Sequence, residues 1–287
     1  MIQYQKAEIF YPTNAMPEPS ILEQIVAHKQ LEVRRQQAKI PLVELREKVH
    51  RAPPVRDFAA ALRRTPSTAL IAEVKKASPS RGVLLTDFDH LSLARTYVAN
   101  GAAAISVLTD RRFFQGSLLY LAGIRKLPEV QKVGTPLLRK DFIIDPYQVY
   151  EARAYGADAL LLIVAALDDA LLRDLFVLTY ELGMHALIEV HTIAELERAL
   201  SLQPPIIGVN NRDLHRFVTD RTTTKMIADA LPPPPHRPLL VSESGIFTPE
   251  HVAEVRSYGA DAILVGEALV TAGDIGAQVR ALATSST

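Results

Sequence analysis

With 287 residues, 48% of them apolar, the chain is long enough to bury one large α/β core and still carry an appendage. Its 32 basic and 32 acidic residues cancel, so no global field recruits nucleic acid or an anionic membrane, and binding must rest on a local site. The absence of cysteine excludes a disulfide framework, a thiolate metal site and a cysteine nucleophile.

The histidines lack His-Glu-x-x-His or His-x-His spacing, and neither a G-x-x-x-x-G-K-[ST] loop nor a G-x-G-x-x-G turn occurs, so no metal and no nucleotide cofactor are expected. No window approaches the roughly 18 uninterrupted apolar residues of a membrane helix. The first residues lack the apolar core of a signal peptide, which makes the cytoplasm the expected location.

Residues 1–19 show no periodicity and read as a loose tail or cover. A helix then starts at an N-cap, Ser20, with Glu23 completing a capping box and Leu22, Ile25, Val26, Lys29 and Val33 at helical spacing. Pro41 ends it, a second helix covers 42–49, Pro53-Pro54 breaks the chain, and 57–64 forms another turn or two. These segments precede the first strand, so residues 1–64 are predicted to form a tail and helical extension appended to a main domain at 65–287.

From Ala69 onward, apolar β-rich runs alternate with segments of helical period. Eight runs are predicted, at 71–74, 104–108, 136–139, 159–164, 186–190, 206–209, 239–242 and 262–265. Helical candidates lie between them at 91–100, 147–155, 169–182, 193–200, 222–231 and 249–258. Three helix-to-strand turns read almost alike, at Gly101, Gly156 and Gly259, each followed by alanine, as suits a left-handed residue after a helix. This pattern predicts a (β/α)8 TIM barrel with an N-terminal helical extension, ahead of a doubly wound open sheet.

In a barrel the active site lies at the carboxyl ends of the strands, where residues two apart share a face. Glu73 and Lys75 then point into one mouth, as do Leu138, Lys140 and Phe142, whereas Arg139 turns to the helices. Leu187 and Glu189, Gly208, Asn210 and Arg212, and Val241 and Glu243 add further groups. Maintaining so many charges on inward positions is costly for a purely structural rim, which favours a site. Arg139, Asp141 and Arg153 read instead as solvated or strand-to-helix ion pairs.

Ser242-Glu243-Ser244-Gly245 after the seventh strand and Val265-Gly266-Glu267 after the eighth place backbone N–H groups where barrels often hold phosphate, so a phosphorylated small molecule is the expected ligand. Ser78-Pro79-Ser80-Arg81-Gly82 after the first strand reads either as a loop that closes over a ligand or as a plain turn.

Taken together, Ile71-Ala72-Glu73-Val74-Lys75-Lys76-Ala77-Ser78-Pro79-Ser80, Phe114-Gln115-Gly116-Ser117, Leu138-Arg139-Lys140-Asp141-Phe142, Ile188-Glu189-Val190-His191, Gly208-Val209-Asn210-Asn211-Arg212 and Ser242-Glu243-Ser244-Gly245-Ile246 resemble the indole-3-glycerol-phosphate synthase family of tryptophan biosynthesis, over about 21–270. The resemblance implies a barrel whose N-terminal extension, 1–64, helps cover the mouth, and ring closure, decarboxylation and dehydration of 1-(2-carboxyphenylamino)-1-deoxyribulose 5-phosphate without metal or organic cofactor.

It further implies Lys140 as general acid of ring closure, Glu189 as acid/base partner in dehydration, Glu73 as a second carboxylate and Lys75 as an anchor for substrate anions. Asn210, Arg212, Glu243 and Ser78 would bind substrate, and Phe114, Phe142 and Leu187 would form an apolar slot for the aromatic ring. Ser244, Gly245, Gly266 and the N–H of Glu267 would hold the phosphate. A monomer is expected, with other tryptophan-pathway enzymes as possible partners. The alternatives are a sister barrel such as phosphoribosylanthranilate isomerase, whose cysteine–aspartate chemistry is impossible without cysteine, and a non-catalytic phosphate-ligand binding barrel.

Overall fold

A computed structural model describes residues 19–64, 68–213 and 218–284, so residues 1–18 of the expected tail at 1–19 lie outside the described residues. Eight parallel strands close into a barrel: β1 (Ala69–Val74), β2 (Ala104–Leu108), β3 (Leu137–Lys140), β4 (Ala159–Ile163), β5 (His185–Val190), β6 (Ile206–Asn210), β7 (Leu239–Glu243) and β8 (Ala262–Val265). Each pairs with the next in chain order, and β8 returns to β1 with Ala262 opposite Ala69. The strands begin and end within two residues of the predicted runs, because β-branched and leucine-rich runs bounded by glycine, proline and charge fit buried parallel strands and little else.

Three helices precede the barrel: α1 (Ile21–Lys39), α2 (Leu42–Arg51) and α3 (Phe58–Arg63). The Ser20 side chain accepts the N–H of Glu23 while Glu23 accepts that of Ser20, the predicted capping box. The barrel helices are α4 (His90–Ala99), α5 (Leu118–Arg125), α6 (Pro128–Val133), α7 (Pro146–Ala154), α8 (Asp169–Glu181), α9 (Ile193–Leu200), α10 (Thr222–Asp229), α11 (Pro249–Ser257), α12 (Glu267–Val270) and α13 (Ile275–Ala283). The sequence pattern predicts no helix at α5, α6, α12 or α13. The segment after Ala77 forms a small antiparallel pairing, Ala77–Ser78 with Gly82–Val83.

Strand parity divides the core in two. Odd positions of β1 and their equivalents, such as Ile71, Leu138, Leu161, Leu187, Val241 and Leu264, fill the barrel interior, whereas Leu70, Ala72, Ile105, Leu137 and Ile188 pack against the helices. The extension uses both ends of this barrel. Phe58, Ala59 and Leu62 of α3 join the interior cluster beside Ala69 and Ala104 and so plug the amino-terminal end. Residues 57–64 therefore do not cover the mouth, as expected of the extension as a whole; that position belongs to α1, which contributes Ile21, Leu22 and Ile25 to the cavity wall. The far end of α1 is held by Tyr147 of α7, whose hydroxyl donates to the carbonyls of Gln36 and Ile40 at 3.2 and 3.0 Å.

The repeated turn has a physical basis. Gly156 and Gly259 adopt φ of 90° and 101°, and two residues later Asp158 and Asp261 each accept an N–H at the start of the preceding strand, that of Leu137 or Leu240, at 2.8 Å. The aspartate thus pins a strand to the turn that begins its neighbour.

Candidate active site

The strand ends converge on a cavity of about 1150 Å³, counted out to the solvent at its mouth. Glu73 leaves β1 almost fully buried, with Lys75 Nζ 3.4 Å from its Oε2; the backbone beneath is fixed by the Tyr97 hydroxyl, which donates to the Glu73 carbonyl at 3.1 Å. Lys140 leaves β3 with Nζ 3.4 Å from Glu243 Oε2 and 3.8 Å from Glu189 Oε2. These separations exceed a strong hydrogen bond, so the three side chains share a field more than they bind one another. Among the described residues, Glu189 Oε2 and both oxygens of Glu243 have no hydrogen-bond partner although buried, the mark of a site shaped for a polar guest.

The electrostatic balance on Lys140 favours the charged form. Burial alone would lower its pKa, but the carboxylates of Glu243, Glu189 and Glu73 together hold it well above the usual lysine range. Burial is also the leading cause at Glu243, pushed up to about 8, with Lys140 opposing and Glu189 and Glu73 adding to the rise.

Phe114 and Phe142 face each other with ring centroids 6.2 Å apart, and Lys75 Nζ lies 5.9 Å from the Phe114 centroid. Leu187, expected in this slot, lies fully buried in the barrel interior two residues below Glu189 and does not reach the cavity wall. Its place is taken by Ile163 of β4 and by Leu22 and Ile25 of α1, which sequence order alone gave no reason to bring there.

On the other side, the Asn210 carboxamide oxygen accepts the N–H of Arg212 at 3.1 Å, and Arg212 donates to Ser80 Oγ at 2.9 Å. Ser78 lines the same wall. Glu267 extends its carboxylate between two arginines, 3.4 Å from Arg81 and 3.6 Å from Arg212, so its side chain is turned to the loop after β1. Ser244 and Gly245 take successive positive φ angles, 68° and 77°, a concave backbone turn that only glycine adopts freely. Asn211 braces it, donating to Ser242 Oγ at 3.0 Å and the Ser244 carbonyl at 3.1 Å. Gly266 is required by close approach, since a Cβ there would strike the Glu73 carboxylate.

Two groups flank the predicted set. His191 stands 3.5 Å from Glu189 and 3.2 Å from Glu195; burial would lower its pKa, but the hydrogen bond to Glu195 and the Glu189 charge raise it. Beneath the Lys140 strand end, Arg139 and Asp141 are buried, not solvated. Arg139 pairs with Glu151 of α7 at 2.8 Å, the expected strand-to-helix pair, and with Asp141 at 3.1 Å. Asp141 also meets Lys29 of α1 at 2.9 Å, and Lys29 meets Asp110 at 2.8 Å. Arg153 is likewise buried, in the field of Arg125 and Asp158. Only one signal for this cluster existed in the sequence: a lysine on the apolar face of the first helix.

A family model described as indole-3-glycerol phosphate synthase matches residues 22–282. A protein of that name from Roseiflexus sp. (strain RS-1) is 65% identical, covering 93% of this chain and 99% of its own length. One from Acidithiobacillus ferrooxidans (strain ATCC 53993 / BNL-5-31) is 50% identical over 87% and 93% of the two chains. Among solved structures, a 3-hexulose-6-phosphate synthase superposes with a TM-score of 0.59 at 14% identity, covering 76% of this chain and 99% of that one, a likeness of fold alone.

Proposed function

The chain belongs to the indole-3-glycerol phosphate synthase family, and we propose on that premise how its own residues divide the reaction. The enzyme converts 1-(2-carboxyphenylamino)-1-deoxyribulose 5-phosphate into indole-3-glycerol phosphate, carbon dioxide and water. In our reading the aromatic ring enters between Phe114 and Phe142, and the phosphate lies on the N–H groups of the 244–245 turn and of Gly266 and Glu267 at the start of α12. Substrate is thereby stretched across Lys140.

As the ring carbon attacks the ketone, the developing alkoxide takes its proton from the Lys140 ammonium, while Lys75 holds the substrate's anionic charge. Loss of carbon dioxide restores aromaticity. Glu189 then supplies the proton to the departing hydroxyl, and Glu73 takes up the amine proton or passes it on. Asn210, Arg212, Ser78 and Glu243 fix the substrate's hydroxyls and carboxylate. Each bond made or broken is assisted by a proton transfer or a charge contact that these groups can supply, so the reading calls for no metal or organic cofactor.

What supports this reading is the setting of Lys140: it lies 3.8 Å from Glu189 and 3.4 Å from Glu243, two residues before Phe142 in the chain, and Glu243 directly precedes the 244–245 turn. Being charged across the neutral range, Lys140 enters the cycle as an acid and not as a base. Lys140→Ala should lower turnover about 10²- to 10⁴-fold while leaving product binding measurable; near-normal turnover overturns the assignment. We also propose a monomeric cytoplasmic enzyme, in keeping with its balanced charge and with the finding that no described helix is long and apolar enough to cross a membrane. Size-exclusion chromatography at micromolar concentration, with and without other tryptophan-pathway enzymes, tests the monomer.

A further inference from the structure

Lys29 sits on the buried face of α1, in line with Leu22, Ile25 and Val33, and is 1% exposed. Its ammonium reaches two different barrel loops. Asp110, in the loop after β2, accepts the N–H of Phe113 at 2.7 Å through its side chain, and its carbonyl accepts that of Gly116 at 2.7 Å. The loop bearing Phe114 is therefore tied at both ends to Asp110. Asp141, in the loop after β3, stands between Lys140 and Phe142; it accepts the Phe142 N–H at 2.8 Å and the Thr109 hydroxyl at 2.5 Å.

Docking α1 by apolar contact alone would avoid desolvating a lysine and two carboxylates, and hydrophobic replacement of such clusters is often neutral or stabilising. Apolar contact has no direction, whereas a charge held at 2.8 and 2.9 Å by carboxylates from two loops fixes the distance between those loops. Each loop carries one ring of the aromatic pair, and Lys140 ends the strand that runs into one of them. The same helix lines the cavity through Ile21, Leu22 and Ile25, so its seating and the width of the slot are one variable.

We propose that Lys29 is a positioning residue of the reaction: by joining Asp110 and Asp141 it makes the seating of α1 set the spacing of Phe114 and Phe142 and the heading of Lys140. This rests on the slot and acid assigned above, and the controls separate the two. Indole product can be followed by fluorescence against a dark background, since the chain has no tryptophan. Wild-type protein that forms no indole, or an active Lys140→Ala, sinks the underlying assignment and not this one.

With those controls as expected, full-length Lys29→Met should show a raised KM together with a lowered kcat, with kcat/KM down about 10²-fold, the usual size of a small misplacement of reacting groups. Lys29→Met combined with Asp110→Asn removes the stranded charge while keeping the acceptor for Phe113, and should recover folding stability without recovering either constant. The proposal is overturned if the double variant regains wild-type kcat and KM. It is equally overturned if Lys29→Met lowers kcat only in proportion to its unfolded fraction, at unchanged KM.

Discussion

Glu243 offers the sharpest test of the electrostatics, because its pKa is moved from an ordinary 4.5 to about 8. Between those values the unfolded chain has released this proton while the folded protein still holds it. The group's contribution to stability is thus fully present below pH 4.5 and is lost as pH rises through about 8. One pH unit in this window corresponds to about 1.4 kcal/mol. From pH 5 to pH 8 the full effect approaches 4 kcal/mol, and relaxation of the site and water reaching the mouth reduce it to roughly 2–3 kcal/mol.

Glu243→Gln replaces the carboxylate by a neutral group of the same shape and has no such slope. Urea unfolding of both proteins at pH 5 and pH 8 isolates the term, since all other titrations cancel in the difference of differences to first order. The variant should gain about 2–3 kcal/mol on wild type between the two pH values, and should lose activity, because an amide replaces the carboxyl group 3.4 Å from Lys140. If the two proteins change stability in parallel from pH 5 to pH 8, the burial argument for Glu243 is wrong.

Three further outcomes are expected. Lys75→Ala should raise KM for the anionic substrate well above tenfold with a smaller change in kcat, and an unchanged KM refutes its anchoring role. Asp141, whose pKa burial would raise but Lys29 and Arg139 hold below the ordinary 3.8, contributes stability present above that value and lost as pH falls through its lowered one. Asp141→Asn should therefore cost about 3–5 kcal/mol at pH 7, by leaving Lys29 and Arg139 short of a buried partner; the gap to wild type should narrow below pH 3.8, and a pH-independent gap counts against the ion-pair account. Gly266→Ala should lower kcat/KM at least tenfold, since its Cβ must displace the Glu73 carboxylate, and a fully active variant shows that Glu73 has room to move.

Much of this molecule was legible because barrel strands announce themselves twice. Their apolar runs fix where they lie, and period-two parity fixes which side chains enter the mouth: Lys140 inward and Arg139 outward followed from counting alone. Leu187 shows the limit of the same rule, because parity gives a face and not a height: its register partner Leu161 lines the cavity, whereas Leu187 stays within the barrel interior. The helices between β2 and β3 are not predicted by the pattern, because Pro128, at the start of α6, divides that stretch into one piece of 8 residues and one of 6.

The sequence by itself determined the fold, the family and the inward set Glu73, Lys75, Lys140, Glu189, Asn210 and Glu243, since each depends on local pattern and spacing. Tertiary structure alone decided the charge states and the role of the extension. Desolvation and Coulomb energy depend on distances between residues remote in the chain, such as Lys29 from Asp141 or Lys140 from Glu243, and no local pattern encodes those. A lysine on an apolar helix face signalled that a buried partner was needed, and only the closed barrel supplied two.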